Sequence, residues 1–539
     1  MTTRSRVLII GLDGASWNVL RPLIEGGQLP HLAALAARGA SGAMHSTYPP
    51  LTPPAWTSFQ TGVTPPRHGV WAFTELTDDG WPSPTIVSST TIRCKTLWEY
   101  LSDHQHRVTL VDVPLTYPFR AISGRLVSDI FIPYNTPGHH TWTQPAELGP
   151  EIDRQVGGWQ FIKGPEMRGQ LDDAGATRFL ELMQDFVRQR EAAALYLLAQ
   201  PDWDVAMVHF QAVDVFQHAL WGWLLPDHPL FRPERHAQVI AFYKRIDLAI
   251  GRMVAVAPPD TLVLVLSDHG FRSHRKILNL NAWLYRRGWL KIPRLQTVRR
   301  AVARSAVLTR GARWLKRLHV PKASILLGYR PSFRVDRQRS QAISTAGPWQ
   351  TQYGLISLKR DGDPGRRARL LQDITKALLE LRDPETGERV VADVRTVAEL
   401  YGGAIGANSP DLVVIPADGY SIDPGLPDDV LWRPVTAESF HIGTHAFEGV
   451  WFLAGPGVAP THRGAVSIVD FAPTLLFYLD LPVPRYMEGR VRTDLFTSEV
   501  IHSRRLRFSD DDGTPTLGER YTALEQAIVE ERLRSLGYL

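Results

Sequence analysis

Short runs of consecutive apolar residues alternate along this chain with longer stretches of amphipathic spacing. The first strand is expected at Arg6–Ile10, closed by a turn at Gly11–Gly14. Helical spacing follows at Val19–Gly26 and at Leu29–Arg38, the latter stopping at Gly39 as a helix C-cap would. Further apolar runs of strand length stand at Val108–Val113, Val205–Phe210, Leu262–Leu266, Leu412–Ile415 and Val450–Leu453. Between them, Ala174–Ala199 and Gln238–Val256 carry helical patterns. Continuous apolar strands with amphipathic helices between them predict an α/β fold, a largely parallel central sheet with helices on both faces. In such sheets ligands sit beyond the carboxyl ends of the strands, so polar residues there are the first site candidates.

One region breaks the alternation. Phe271 to Arg334 holds no Asp or Glu and is dense in Arg and Lys, and 298–318 within it fits a basic amphipathic helix. It reads as an inserted cap, which divides the chain into 1–270 (sheet domain, first part), 271–344 (basic cap), 345–497 (sheet domain, second part) and 498–539 (a charged segment). Leu381–Tyr401 reads as a turn, a strand and a short helix, and the last segment ends in a helix at Tyr521–Leu536. The basic helix suits a clamp on a polyanionic substrate, an anchor to acidic lipid headgroups, or simply a solvated face.

Composition narrows the classes. The chain has 539 residues, a net charge of +5 and 44% hydrophobic content, enough for a large core without disulfides. Its one cysteine, Cys94, excludes an intrachain disulfide and a cysteine-based zinc site. The apolar run behind Arg6 is too short for a signal peptide, and no stretch approaches the ~18 apolar residues of a membrane span. A cytoplasmic location is therefore expected, with peripheral membrane contact left open. The mild positive charge suits an anionic substrate and gives no ground for specific nucleic-acid binding.

The candidate chemistry lies at the expected strand ends. Asp13 follows the first strand in IIGLDGAS, as a metal ligand or a helix cap would. Thr52 lies among Pro49, Pro50, Pro53 and Pro54, at or just before a helix starting near Pro54, where N–H groups favour anions; an N-cap threonine would read the same. Asp214 and His218, four residues apart, share one helix face. Asp268 and His269 follow the apolar run TLVLVL directly, where two buried polar groups need a partner. His445, with His441 as a weaker neighbour, precedes its strand rather than following it, so a backbone bend is expected to return it to the others. Together these residues supply the ligands for two zinc-like ions bridged by a phosphoryl group.

The order GLDG, a proline-framed threonine, Asp-x-x-x-His, SDHG and GTH resembles the alkaline phosphatase superfamily, in its type I phosphodiesterase/nucleotide pyrophosphatase-like branch. The resemblance runs from Arg6 to about Phe496. LNLNAWLYRRGWL, DPETG, YGGAIGANSPDLVVIP and the ending LRSLGYL are similar to a bacterial and archaeal set of predicted phosphohydrolases or phosphomutases. It implies an alkaline phosphatase-like fold with Thr52 as nucleophile. It also implies two divalent ions, usually zinc and alternatively manganese: one held by Asp13, Thr52, Asp268 and His269, the other by Asp214, His218 and His445. Cys94 is not set as the modified cysteine of a sulfatase. Two departures stand out. Phe73 occupies the place of an asparagine that holds a phosphoryl oxygen in nucleotide pyrophosphatases, and Ala55 and Trp56 stand where another asparagine follows the nucleophile. The expected function is metal-dependent hydrolysis of a phosphate monoester or diester through phospho-threonine. Phosphoryl transfer to another acceptor, as in a phosphomutase, uses the same groups. A catalytically weak protein binding acidic membranes or polymers through the basic cap is the alternative of another class.

Overall fold

The computed structural model describes residues 5–133, 141–161, 173–293, 335–345, 353–360, 363–402, 406–426, 430–437, 439, 441–460, 464–516, 518–536 and 538–539. The expected basic helix at 298–318 lies outside them. No helix among the described residues is long and apolar enough to cross a membrane.

The apolar runs form the centre of a nine-stranded sheet. Thr261–Leu266, Arg6–Leu12, Val205–Phe210, Val108–Val111 and Gly124–Val127 lie side by side and parallel. Every residue of Val205–Phe210 and Thr261–Leu266 is buried, as a sheet covered on both faces requires. Each fully buried Val, Leu or Ile there contributes roughly 1.5–3 kcal/mol. Two helix groups cover the sheet. Asp173–Leu198 packs along Pro233–Val256, which also meets Pro30–Arg38. Thr52–Thr61 packs with Leu97–Asp103 and Phe471–Tyr478. The architecture is alkaline phosphatase-like, as the motif order implied.

The remaining strands correct two expectations. Glu448–Ala454 runs antiparallel to Thr261–Leu266, with Trp451 opposite Leu266. Its amino end therefore lies at the carboxyl ends of the parallel strands, and His445 reaches the site by strand direction rather than by a returning bend. The second correction concerns Leu412–Pro416, which belongs to a separate antiparallel sheet with Ala342–Ser344, Gly354–Leu358 and Val391–Thr396. A third sheet is built on Gly270–Asn279, flanked by Gly419–Asp423 and Trp432–Pro434. These two small sheets share an apolar cluster that includes Leu278, Trp283, Ile356, Leu378 and Tyr420. The first residues of Gly270–Asn279 pair with Gly443–Ala446, so Phe271 stands opposite His445.

The helix expected at Tyr521–Leu536 spans Ala523–Ser535 and starts with a capping box between Thr522 and Glu525. Val529, Leu533, Leu536, Tyr538 and Leu539 are buried in the core of the main sheet.

Gly270 sits where the chain leaves the site. A Cβ there would lie 1.9 Å from the backbone oxygen of Glu448. Gly270→Ala must therefore push the chain just after His269 away from the start of Glu448–Ala454. It is expected to lower unfolding stability by about 1–3 kcal/mol, the usual cost of overpacking, read by urea denaturation at unchanged m-value.

Candidate active site

The site forms where the parallel strands end. Asp13 follows Arg6–Leu12, and Asp268 and His269 follow Thr261–Leu266. Asp214 and His218 lie on the helix Ala212–Leu224 that follows Val205–Phe210, with Asp214 in its first turn, where the helix dipole favours a carboxylate. His445 arrives on Gly443–Ala446. The structure brings all seven sequence candidates together, each no more than 3% exposed.

His269 Nε2 is the common point of the carboxylates. It lies 3.3 Å from Asp268 Oδ2, 3.6 Å from Asp13 Oδ1 and 4.0 Å from Asp214 Oδ1. Asp214 Oδ1 also lies 3.0 Å from His445 Nε2 and 3.5 Å from His218 Nε2. Two overlapping triads have the spacing to hold a metal ion, Asp214 with His269 and His445, and Asp13 with Asp268 and His269; His269 belongs to both and His218 to neither.

Hydrogen bonding orients these groups. His218 Nδ1 faces the carbonyl of Gly443 at 3.1 Å, His445 Nδ1 that of Pro50 at 2.8 Å, and His269 Nδ1 that of Gly270 at 3.2 Å. A carbonyl only accepts, so each Nδ1 donates and each Nε2 is left facing inward, with those of His218 and His445 2.9 Å apart. The carboxylates divide their oxygens in the same way. Asp13 Oδ2 accepts from Trp56 Nε1 and faces His209 Nε2, each at 3.0 Å. Asp268 Oδ1 accepts from the Gly14 amide at 3.1 Å, and Asp214 Oδ2 accepts from the Tyr538 hydroxyl at 2.6 Å. The inner atoms Asp214 Oδ1, Asp268 Oδ2 and His269 Nε2 are buried with no hydrogen-bond partner. Orphaned polar atoms are costly in a protein interior, and these three point at the same space.

Electrostatics follow the crowding. Burial, and then the charges of Asp13 and Asp214, hold the Asp268 carboxyl well above the ordinary range, although the Gly14 amide pulls the other way. Asp13 is also raised by burial, against the pull of His209 and Trp56. Burial pushes Asp214 up as well, but His218, His445 and His269 together outweigh it and bring its carboxyl below the ordinary value. Burial takes His218 down to about 4, and takes His269 well below its ordinary value with help from His445.

Thr52 opens the helix Thr52–Thr61 and donates its hydroxyl to Asp13 Oδ1 at 3.3 Å. The helix begins at Thr52, not near Pro54. Pro53 and Pro54 carry no N–H, and the Ala55 amide is bonded to the Leu51 carbonyl. The anion-binding capacity of this helix end therefore narrows to the Thr52 amide.

Some site residues were not legible as such. His209 is buried within the apolar strand VAMVHF, and its Nδ1 meets the backbone oxygen of Asp112 at 2.9 Å. Asp112 in turn holds the buried Arg190, whose Nε lies 2.9 Å from Asp112 Oδ2. A polar residue inside a buried strand was the available signal. Trp56, which with Ala55 stands where an asparagine is expected to follow the nucleophile, donates instead to Asp13. Gln211 directly follows the apolar run Val205–Phe210 and so shares the strand-end signal of the other candidates, whereas Tyr538 follows no apolar strand. His441 is absent from both triads and stacks on His218 with ring centroids 4.3 Å apart.

Comparisons with known proteins bear on the fold and the family. No curated protein matches the sequence significantly. Among solved structures, phosphonoacetate hydrolase from Sinorhizobium meliloti 1021 in complex with phosphonoformate is similar at a TM-score of 0.51 and 15% identity, over 87% of this chain and 94% of that one. Human ectonucleotide pyrophosphatase/phosphodiesterase 5 is similar at 0.51 and 13% identity, over 92% of this chain and all 100% of its own. The murine counterpart, in an inactive form with a threonine replaced by alanine and in complex with AMP, is similar at 0.51 and 11% identity, over 92% of this chain and 100% of its own. These likenesses concern the fold. Residues 7–448 match the type I phosphodiesterase/nucleotide pyrophosphatase family, and the chain belongs to it.

Proposed function

We propose that this protein hydrolyses phosphate esters in two stages on Thr52, with two divalent cations, zinc or manganese, held by the buried carboxylates and imidazoles. The observation that carries this reading is the convergence of three inward Nε2 atoms and three inward carboxylate oxygens beside one hydroxyl. Asp13, Thr52, Asp268 and His269 would hold one ion, and Asp214, His218 and His445 the other. The donor set, carboxylate and imidazole without thiolate, fits zinc and tolerates manganese. When bound, such ions supply Lewis acidity toward the attacking and departing oxygens.

The remaining steps belong to the chain. Thr52, held by Asp13 at the helix start, attacks phosphorus through Oγ1. The P–O bond to the organic group breaks as the Thr52 O–P bond forms, and the hydroxyl proton ends on the departing alcohol. Water then attacks the phospho-threonine, the Thr52 O–P bond breaks, and a proton returns to Thr52 while phosphate or its remaining monoester leaves. A threonine-to-alanine form of the murine relative is inactive, which is in keeping with a threonine nucleophile. The environment of Phe73 bears on specificity. It is buried in an aromatic stack with Phe131 and Tyr538, so it offers no donor to a phosphoryl oxygen.

Hydrolysis of bis-p-nitrophenyl phosphate and p-nitrophenyl phosphate, with added zinc or manganese, tests the reading. Metal-dependent release is expected from wild type, and the preferred compound assigns the ester class. Release only with an added alcohol acceptor, and without inorganic phosphate from a monoester, would assign a phosphotransferase instead. Thr52→Ala is expected to abolish turnover while two metal ions per chain remain by elemental analysis. Asp268→Asn is expected to lose metal and activity together. One ion or none in folded, metal-supplemented wild type would sink the two-cation assignment.

Chelation gives a second check. A cation binding only the folded chain at about 100 times its Kd adds about 2.7 kcal/mol of stability. EDTA treatment is therefore expected to lower the thermal midpoint, and zinc or manganese to restore it. A midpoint indifferent to both would count against a resident cation.

A further inference from the structure

We infer that Tyr538 is a positioning residue of this site: its phenol tethers the outer oxygen of Asp214 and keeps the inner oxygen aimed at His218, His269 and His445. The inference rests on the two-cation reading above and deepens it.

Tyr538 lies 324 residues from Asp214 in the chain, yet its hydroxyl is 2.6 Å from Asp214 Oδ2. Gln211 Nε2 donates to the same hydroxyl, also at 2.6 Å. A side-chain NH2 group only donates, so Gln211 occupies the accepting side of the phenol and directs its proton to the carboxylate. Gln211 is the N-cap of the helix whose first turn carries Asp214. The phenol therefore bridges two residues of one helical turn. It fixes a carboxylate whose other oxygen has no hydrogen bond and faces imidazole nitrogens. Outer partners of this kind set the orientation of metal-ligating groups.

The ring is held as firmly as the hydroxyl. It stacks on Phe73 at 4.7 Å between centroids and 16° between planes, and Phe73 stacks in turn on Phe131. The segment carrying Tyr538 is tied to the same wall. Tyr521 donates to the Phe131 carbonyl at 2.6 Å, Arg532 Nη1 to the Ile130 carbonyl at 3.0 Å, and the Tyr538 amide to the Leu533 carbonyl at 2.9 Å. Phe73, which stands where a phosphoryl-binding asparagine was expected, thus serves as the platform of the tether.

Y538F in the full chain tests this with zinc and with manganese, each titrated by calorimetry into metal-free protein, alongside turnover of bis-p-nitrophenyl phosphate. One binding step is expected to weaken about 10–100-fold while the other is unchanged, the usual effect of removing such a partner. kcat is expected to fall at limiting metal and to recover at saturating metal, with KM unchanged. L539A loosens the same packing but keeps the hydroxyl, and both its binding steps are expected to match wild type. Equal weakening in L539A and Y538F would assign the effect to packing and overturn the inference. Should Y538F fail to fold by circular dichroism, Q211L is measured in its place. It is expected to weaken the same step, and unchanged binding would overturn the inference. Wild type binding two ions with Y538F identical to it overturns this inference alone. Wild type binding fewer than two overturns the two-cation reading and this inference with it.

Discussion

Three carboxylates with no exposed surface, Asp13, Asp214 and Asp268, converge on one imidazole nitrogen, and most of the architecture near them answers the repulsion this creates. In a medium of low polarity, like charges at such distances cannot all ionise without compensation. The protein compensates on the outer side. Trp56, the Gly14 amide and Tyr538 donate to one oxygen of each carboxylate, and His209 faces the same oxygen of Asp13 as Trp56 does. The inner oxygens are left to the histidines and to whatever cation the site takes up. That division fixes where positive charge is needed, and Thr52 lies at its edge through Asp13.

The sheet makes the convergence possible. Gly11 of the first strand is level with both Leu266 and His209 of its neighbours, so three strands end together and deliver Asp13, Asp214 and Asp268 to one place. A fourth parallel strand in the same position would carry its chain away from the site at its start. The antiparallel Glu448–Ala454 instead presents its beginning there, which is how His445 joins residues that all follow their strands. Pairing of Gly443–Ala446 with Gly270–Asn279 then locks His445 against the segment just after His269.

Much of this was readable from residue order, because the ligands sit beside long apolar runs. The run before Asp268 was placed to within one residue of Thr261–Leu266, and Val205–Phe210 was placed at its observed ends. Strand direction was not readable, since an apolar run has the same pattern in either sense, and so His445 looked anomalous. For the same reason Leu412–Pro416 passed for a strand of the main sheet; nothing in its composition distinguishes the small sheet it joins. His209 was concealed by the apolar residues around it. Tyr538 was beyond local reading altogether, because its contacts arise only when the helix Ala523–Ser535 docks beside Pro82–Ile86 and the Ile130 segment.

Trp56, Phe73 and Tyr538 change what the resemblance to nucleotide pyrophosphatases can be taken to mean. Of the two places where the resemblance expects an asparagine, one holds Phe73 and the other Ala55 and Trp56. Neither ring supplies a donor to a bound phosphoryl group. Trp56 spends its N–H on Asp13, and Phe73 has none to spend. Both instead strengthen the frame around the carboxylates, one directly and one through the Tyr538 ring. Both side chains thus contact the frame of the candidate site rather than its centre. Under the proposed function, the Thr52 amide is the donor that the described residues of this helix end offer to a phosphoryl oxygen. On the proposed function, selectivity for the organic group then falls to the walls around the site rather than to an asparagine beside the phosphorus.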